Sequence, residues 1–368
     1  MIVDLIEALY RLLWGDLFTL PVAGGIGISF MVVLLFAAGI GFTLRTRLLP
    51  VRLFRDMIGA VCEKKQAAGG LSSFQTLVIS TATRVGMGNL VGVVAAVSAG
   101  GAGAVFWMWV TALLGSATAF VEGTLAQIYK KRAKDGSCYG GPAYYIEQAL
   151  KQRWLGVLFA VVMILTYMVG FNLVASFNIA DSLKAYSFYD PTLTPWIVGI
   201  VLAVVFLVCI SGGGKQIANI TAVLVPVMGV LYLAVTLFVV FTHISLIPAV
   251  FARIFHNAFN FQAIFGGFVG SALMQGIKRG LFSNEAGIGA AACAAGSAGV
   301  SHPAKQGLVQ VLSVFIDTIV VCTATAMLLL CSGVDPTAEA AGMPFVQQAM
   351  AGTLGQFGVI FITVALFL

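Results

Sequence analysis

Ile79-Ser80-Thr81-Ala82-Thr83-Arg84-Val85-Gly86-Met87-Gly88-Asn89-Leu90-Val91-Gly92 lies in the middle of an apolar run from about residue 71 to residue 100. Glycines at 86 and 88, an Asn and an Arg are poor helix material. In hydrocarbon, the backbone groups freed by a broken helix are tolerated only where they face protein or a polar cavity. The stretch therefore predicts a span that unwinds around Gly86 to Asn89 and lines a site. Close helix contact through small residues would account for the glycines alone. It has no use for the Arg and the Asn, whose polar groups are costly at membrane depth.

The rest of the chain supplies the membrane. Of 368 residues, 60% are hydrophobic and 9% charged, and the mean hydropathy is +1.01. A soluble domain carries about 25% charge. Too few ionic groups remain to hydrate a surface or cover phosphates, which excludes a soluble domain, a disordered chain and a nucleic-acid binder. A crossing helix needs about 20 apolar residues. Runs of that size fall at 21–43, 71–100, 102–129, 153–180, 194–212, 217–241, 261–282 and 303–332. Ahead of them, Ile2 to Trp14 carries Asp4, Glu7 and Arg11 at helical spacing and predicts a helix lying on the bilayer; without a basic start it is no signal peptide.

Charge gives the expected orientation. Sixteen of the 20 Lys and Arg fall in alternate connections, within Arg45 to Lys65, Lys130 to Arg153, at Lys215, and within Lys278 to Lys305. By the positive-inside rule these connections are cytoplasmic and the N-terminus is outside, so the net charge of +6 needs no anionic partner. Ser187 to Pro195 and residues 334 to 352 are then external segments suited to act as lids. Phe357 to Leu368 begins a ninth apolar run, so the expectation is a chain that stops part-way through its architecture.

A second interruption, Gly266-Gly267-Phe268-Val269-Gly270-Ser271-Ala272-Leu273-Met274-Gln275-Gly276-Ile277-Lys278-Arg279-Gly280, runs in the opposite sense. Two such spans at corresponding places point to an inverted repeat with ligands near the midplane. The chain divides accordingly into an N-terminal part, 1–70, a first five-helix repeat, 71–241, and an incomplete second repeat, 242–368. Half-helix N-termini present amides to a carboxylate, while exposed carbonyls coordinate a cation. The amides of Met87, Gly88 and Asn89 suit the first task and the carbonyls of Ala82, Thr83 and Val85 the second. A small zwitterion together with Na+ satisfies both.

Four ionisable residues sit in or beside apolar spans. Arg84 and Glu122 read as a salt bridge or as snorkelling toward the cytoplasmic face, and Glu285 as bracing a short cytoplasmic helix. Asp317, deeper, is the candidate internal charge partner or proton relay. Six Cys without CxxC spacing and three loop His offer no metal or iron-sulfur site, and no nucleophile with a base is legible, so no enzyme is expected.

Five motifs in order are specific: Arg84-Val85-Gly86-Met87-Gly88-Asn89; Gly103-Ala104-Val105-Phe106-Trp107-Met108-Trp109-Val110-Thr111-Ala112; Gly140-Gly141-Pro142-Ala143-Tyr144-Tyr145; Lys278-Arg279-Gly280-Leu281-Phe282-Ser283-Asn284-Glu285-Ala286-Gly287; and Phe315-Ile316-Asp317-Thr318-Ile319-Val320-Val321-Cys322-Thr323. Together, over nearly the whole chain, they resemble the alanine or glycine:cation symporter family. The resemblance implies a leucine-transporter-like all-α fold of two inverted five-helix repeats, and Na+-coupled amino-acid transport in the cell membrane with no cofactor. It implies that Gly86 to Asn89 receives the substrate carboxylate, and that Ala82, Thr83, Val85 and Asn89 lie near amine or Na+. It also implies that Ser271, Met274, Gln275 and Gly276 form the opposite wall, and Phe171, Asn172 and Ala175 a third. H+ coupling through Asp317 or Glu122 is the alternative, and a non-functional fragment a further one. The family commonly has Thr or Ser at Met87, and Gln and Asn at Ala175 and Phe177, so the resemblance does not carry alanine or glycine over as the substrate.

Overall fold

A computed structural model describes residues 2–20, 26–63, 70–86, 88–134, 136–259, 272–334 and 342–367. The chain is nearly all helix. Helix α1, Ile2–Leu13, leads into an antiparallel hairpin, β1 Asp16–Leu20 with β2 Ile26–Ser29, and then into α2, Phe30–Arg45. The first expected span, 21–43, is therefore corrected: its helix starts at Phe30, because the Gly-rich start at 24–27 has low helix propensity. Two short helices, α3 Leu49–Arg52 and α4 Phe54–Val61, follow.

The broken span is present. Helix α5, Ser73–Arg84, starts at a capping box in which Ser72 Oγ accepts from the Gln75 N–H (3.1 Å) and Gln75 Oε1 from the Ser72 N–H (2.9 Å). After Arg84 the chain opens and resumes as a π-helical turn, Gly88–Gly92, continued by α6, Val93–Gly100. The two limbs differ in direction by 51°.

Helix α7, Gly103–Ile128, is the axis of the molecule, followed by α8 Pro142–Leu150 and a long span made of α9 Arg153–Leu165, a π-helical Thr166–Phe171 and α10 Asn172–Ser182. Next come α11 Leu193–Ser211, α12 Gly213–Thr242 and α13 Ile247–Ala258. Beyond these lie α14 Ala272–Asn284, α15 Ala290–Gly296, and α16 Pro303–Val314, which runs through a π-helical Phe315–Cys322 into α17 Thr323–Cys331. Helices α18 Met343–Leu354 and α19 Gln356–Phe367 close the described chain. Among the described residues five helices are long and apolar enough to cross a bilayer, or six with the bent pair as one span.

Small residues let these helices meet. A Cβ at Gly280 would sit 3.0 Å from Thr111 Cβ, one at Gly115 3.0 Å from the Asn284 amide, and one at Gly123 2.9 Å from Gln310. Gly276 abuts Ala104 and Trp107 in the same way. Apolar burial gives little drive between helices in lipid, so this close approach is what associates them. The glycines at 276 and 280 are thus contact residues inside a continuous helix, a correction to their reading as an interruption. Gly266 to Ser271 lie outside the described residues. An irregular stretch in this half that the structure does describe is 285–289, where Glu285, Gly287 and Gly289 have φ of 50°, 96° and 95°.

The main core joins α6, α7, α12, α13, α17, α18 and α19, with Val93, Ala104, Val239, Ile254, Leu328 and Met350 fully or almost fully buried. Helix α18 belongs to it. Met343, Phe345, Val346 and Ala349 are at most 1% exposed, so the second half of the expected lid 334–352 is a core helix, held by apolar packing and by Gln347 Nε2 donating to the Ser182 carbonyl (2.8 Å).

Candidate functional site

The break in the first span opens onto a cavity of about 220 Å3. One wall is the end of α5 and the unwound backbone: Ala82, Thr83, Arg84, Val85, Gly86 and Gly88. The second is Phe171, Asn172 and Ala175, where the π-helical turn meets α10. Phe282 and Glu285, at the end of α14, form the third. Volume on this scale holds several water molecules or one small organic solute.

The backbone at the break is organised by Asn89. Its Oδ1 accepts from the Gly86 N–H (3.1 Å), a donor that would otherwise reach the Ala82 carbonyl four residues back, and so the Ala82 carbonyl is released. Asn89 Nδ2 donates to Asp317 Oδ1 (2.8 Å) and to the Asp317 carbonyl (3.0 Å). Asp317 is fully buried, and its Oδ2 accepts from Ser283 Oγ (2.9 Å) and Thr318 Oγ1 (2.7 Å). This one carboxylate therefore ties the break to α14 and to the π-helical turn after α16. Its observed donors are an amide and two hydroxyls; the expected charged partner is not among them.

Arg84 neither snorkels nor, among the described residues, makes an ion pair. It is 2% exposed, with Nε donating to the Asn284 carbonyl (2.7 Å) and Nη1 to Ser313 Oγ (2.6 Å). A guanidinium on the last-turn carbonyl of α14 satisfies an orphan acceptor and lies at the negative end of that helix dipole. Its Nη2 is buried without a partner. Glu122, 8% exposed on α7, accepts from the Gly287 N–H through Oε2 (3.0 Å), so it supports the turn at 285–289 and is not snorkelling either. Glu285 does not brace a surface helix. It is 1% exposed, lines the cavity, and accepts from the Tyr167 hydroxyl through Oε2 (3.1 Å).

The rings of Tyr167, Phe171 and Phe282 stack beside it, with centroids 4.8 and 6.0 Å apart and planes within 3° of parallel. Asn172 Nδ2 is committed to the Tyr167 and Met168 carbonyls (3.2 and 2.9 Å), capping the π-helical turn.

Some expected residues are elsewhere. Met274 packs with Val32, Ile277 and Leu281 toward α2, Gln275 lies by Gly100, and Gly276 faces α7. The expected wall is thus displaced along α14 to Phe282 and Glu285, one to three turns nearer its C-terminus. Asn89 turns its side chain to Asp317, away from the cavity. Phe177 is 67% exposed and lines a separate recess with Asp181 and Lys184, so its departure from the family pattern does not reach this cavity, whereas that of Ala175 does. Met87 and Ser271 lie outside the described residues. Sequence reasoning missed Glu285, Tyr167 and Phe282. The available signal was a carboxylate between an apolar helix and two glycines, the counterpart of Arg84 before Gly86.

A polytopic helical protein with an unwound span beside a small cavity lined by charged residues belongs to the class of membrane transporters. The model of the sodium:alanine symporter family matches residues 20–368, and the chain belongs to that family. Similar proteins include the amino-acid carrier protein AlsT of Bacillus subtilis, 44% identical over 341 residues, covering 92% of this chain and 72% of that one. Another from the same organism is described as "Probable sodium/glutamine symporter GlnT", at 43% over 340 residues (92% and 70%). The sodium/alanine symporter AgcS of Methanococcus maripaludis is 39% identical over 312 residues (83% and 68%). The protein is a transporter and not an enzyme.

Proposed function

We propose that this protein carries a small neutral amino acid into the cell together with Na+ by alternating access, in the plasma membrane with its N-terminus outside. The observation that supports this reading is the unwound backbone at Val85 and Gly86 beside a cavity that also holds Arg84 and Glu285, a place for both ends of a zwitterion. In this reading the carbonyls of Ala82, Thr83 and Val85 face the cation. The Gly86 to Gly88 backbone takes the carboxylate, and Phe171, Asn172 and Ala175 bound the substrate side chain. Two of the relatives are named for alanine and for glutamine, amino acids that differ in the length and polarity of their side chains. Ala175, being apolar, offers no hydrogen-bond partner there and so favours a cargo side chain without a polar tip. The expected repeat units, 71–241 and 242–368, are the frame that would rock about the site.

The test is uptake of labelled L-alanine, glycine and L-glutamine into proteoliposomes with an inward Na+ gradient, repeated with choline in place of Na+. Gradient-dependent uptake that choline abolishes supports the reading. Uptake that survives choline and follows a pH gradient would replace Na+ by H+. No uptake or binding of any of the three by folded protein would refute it.

A further inference from the structure

Four ionisable groups are buried around the break, and their charges would not cancel if all four were ionised. Arg84 is surrounded by Glu122, Glu285 and Asp317, each at most 8% exposed. One guanidinium against three carboxylates leaves the ionised set negative, and among the described residues no carboxylate oxygen lies within ion-pair distance of Arg84. Two of the three carboxylates have structural work: Asp317 holds α14, the π-helical turn and Asn89 together, and Glu122 holds the Gly287 N–H. Glu285 differs. It is the one of the three that lines the cavity, where the wall around it offers the Tyr167 hydroxyl, the Thr83 side chain and the Ala82 to Val85 backbone. Its left-handed backbone, φ 50°, is an uncommon conformation for a residue with a side chain, and here it sits beside the cavity. Arg84, whose Nη2 is buried without a partner, lines the same space. An unpartnered buried donor and an under-compensated buried carboxylate are each costly by themselves. A ligand carrying both signs of charge relieves both.

We propose that Glu285 is the carboxylate that holds the positively charged group in this cavity, with Arg84 on the side of the negative one. The cationic group is monovalent and makes hydrogen bonds or coordinates oxygen: the ammonium of the amino acid or the coupling Na+. The inference rests on the transport reading above and adds to it a residue that recognises charge.

The purified full chain is titrated with labelled L-alanine and L-glutamine at saturating Na+, and with 22Na+ alone, for wild type, Glu285→Gln and Tyr167→Phe. Glu285→Gln is expected to weaken one of these at least tenfold. Loss confined to the amino acid identifies the ammonium as the group at Glu285, and loss of Na+ binding without amino acid identifies the ion. Tyr167→Phe keeps the carboxylate, drops its hydrogen bond and is expected to move the same constant a few-fold. Glu285→Gln removes a buried charge, so its thermal midpoint should not fall, which separates lost binding from lost folding. Unchanged constants in folded Glu285→Gln, with wild type binding normally, overturn the proposal and leave the transport reading intact. If Glu285→Gln does not fold, unchanged constants in Tyr167→Phe overturn it. Wild type that binds neither amino acid nor Na+ overturns both.

Discussion

Asn89→Ala removes four hydrogen bonds at once, the weakest of them the donation from Nδ2 to Cys322 Sγ (3.3 Å). The Gly86 N–H loses its acceptor (3.1 Å), and Asp317 loses the donors to Oδ1 (2.8 Å) and to its carbonyl (3.0 Å). The bond to the carboxylate is charge-assisted, worth about 1.5–3 kcal/mol, and the two neutral N–H···O ones about 1 kcal/mol each. Asp317 keeps Ser283 and Thr318 on Oδ2, which places the carboxylate contribution toward the lower end. The expected loss of stability is about 3–4 kcal/mol. It is read from reversible unfolding in mixed micelles, followed by fluorescence, for Asn89→Ala, Asp317→Ala and the pair. If these two side chains hold the break as a unit, the double variant loses about 1.5–3 kcal/mol less than the sum of the singles. Additivity within about 0.5 kcal/mol would refute the reasoning, because the break would then be held by something other than this contact.

Three further outcomes follow from particular contacts. Gly280→Leu places carbon where Thr111 Cβ already lies 3.0 Å from the first added atom, so it should cost about 1–3 kcal/mol or more and lower the yield of monodisperse protein, while Gly59→Ala, with open space around it, should not. Tyr232→Phe loses the buried hydroxyl pair with Thr325 (2.7 Å) and is expected to cost about 1 kcal/mol in the same unfolding assay. Hydrogen bonding to Lys305 Nζ (2.8 Å) holds the Glu63 carboxyl below its ordinary value of 4.5. Because the folded value is the lower one, this contribution is complete above the unfolded value and is lost as pH falls through the folded one. The pair is partly exposed, so the effect is below about 1 kcal/mol, and Glu63→Gln should flatten that part of the stability-against-pH curve.

The break at 85–88 was legible because its evidence is local: Arg84, Gly86 and Asn89 contradict an apolar helix within a few residues. The spans at 102–129, 194–212 and 303–332 were legible for the same reason, since hydropathy over about 20 residues is a property of the segment itself. The role of α18 was not. Its Pro344 and Gly342 read as an external segment, and only docking against α10, α12 and α17 turns Met343, Phe345 and Met350 into core. The cavity's third wall was missed by a comparable step. The glycines at 276 and 280 look like the first break in sequence, but whether a glycine marks an interruption or a close contact depends on what stands opposite. Here Ala104, Trp107 and Thr111 of α7 stand opposite.

The sequence by itself determined that the chain is a membrane protein, that its family is that of sodium:alanine symporters, and that residues 82–89 form the irregular heart of it. Each of these depends on composition or on motifs a few residues long. What only the tertiary structure decided is which charges share a space. Arg84 and Glu285 are 201 positions apart, and Tyr167 lies 118 from Glu285. Their meeting requires α5, the span 153–185 and α14 to converge at one depth. That convergence is set by side-chain volume, by small residues such as Gly115 beside Asn284, and by buried hydrogen bonds such as Asn89 to Asp317. All of these act through space between segments whose separation along the chain carries no trace of the contact.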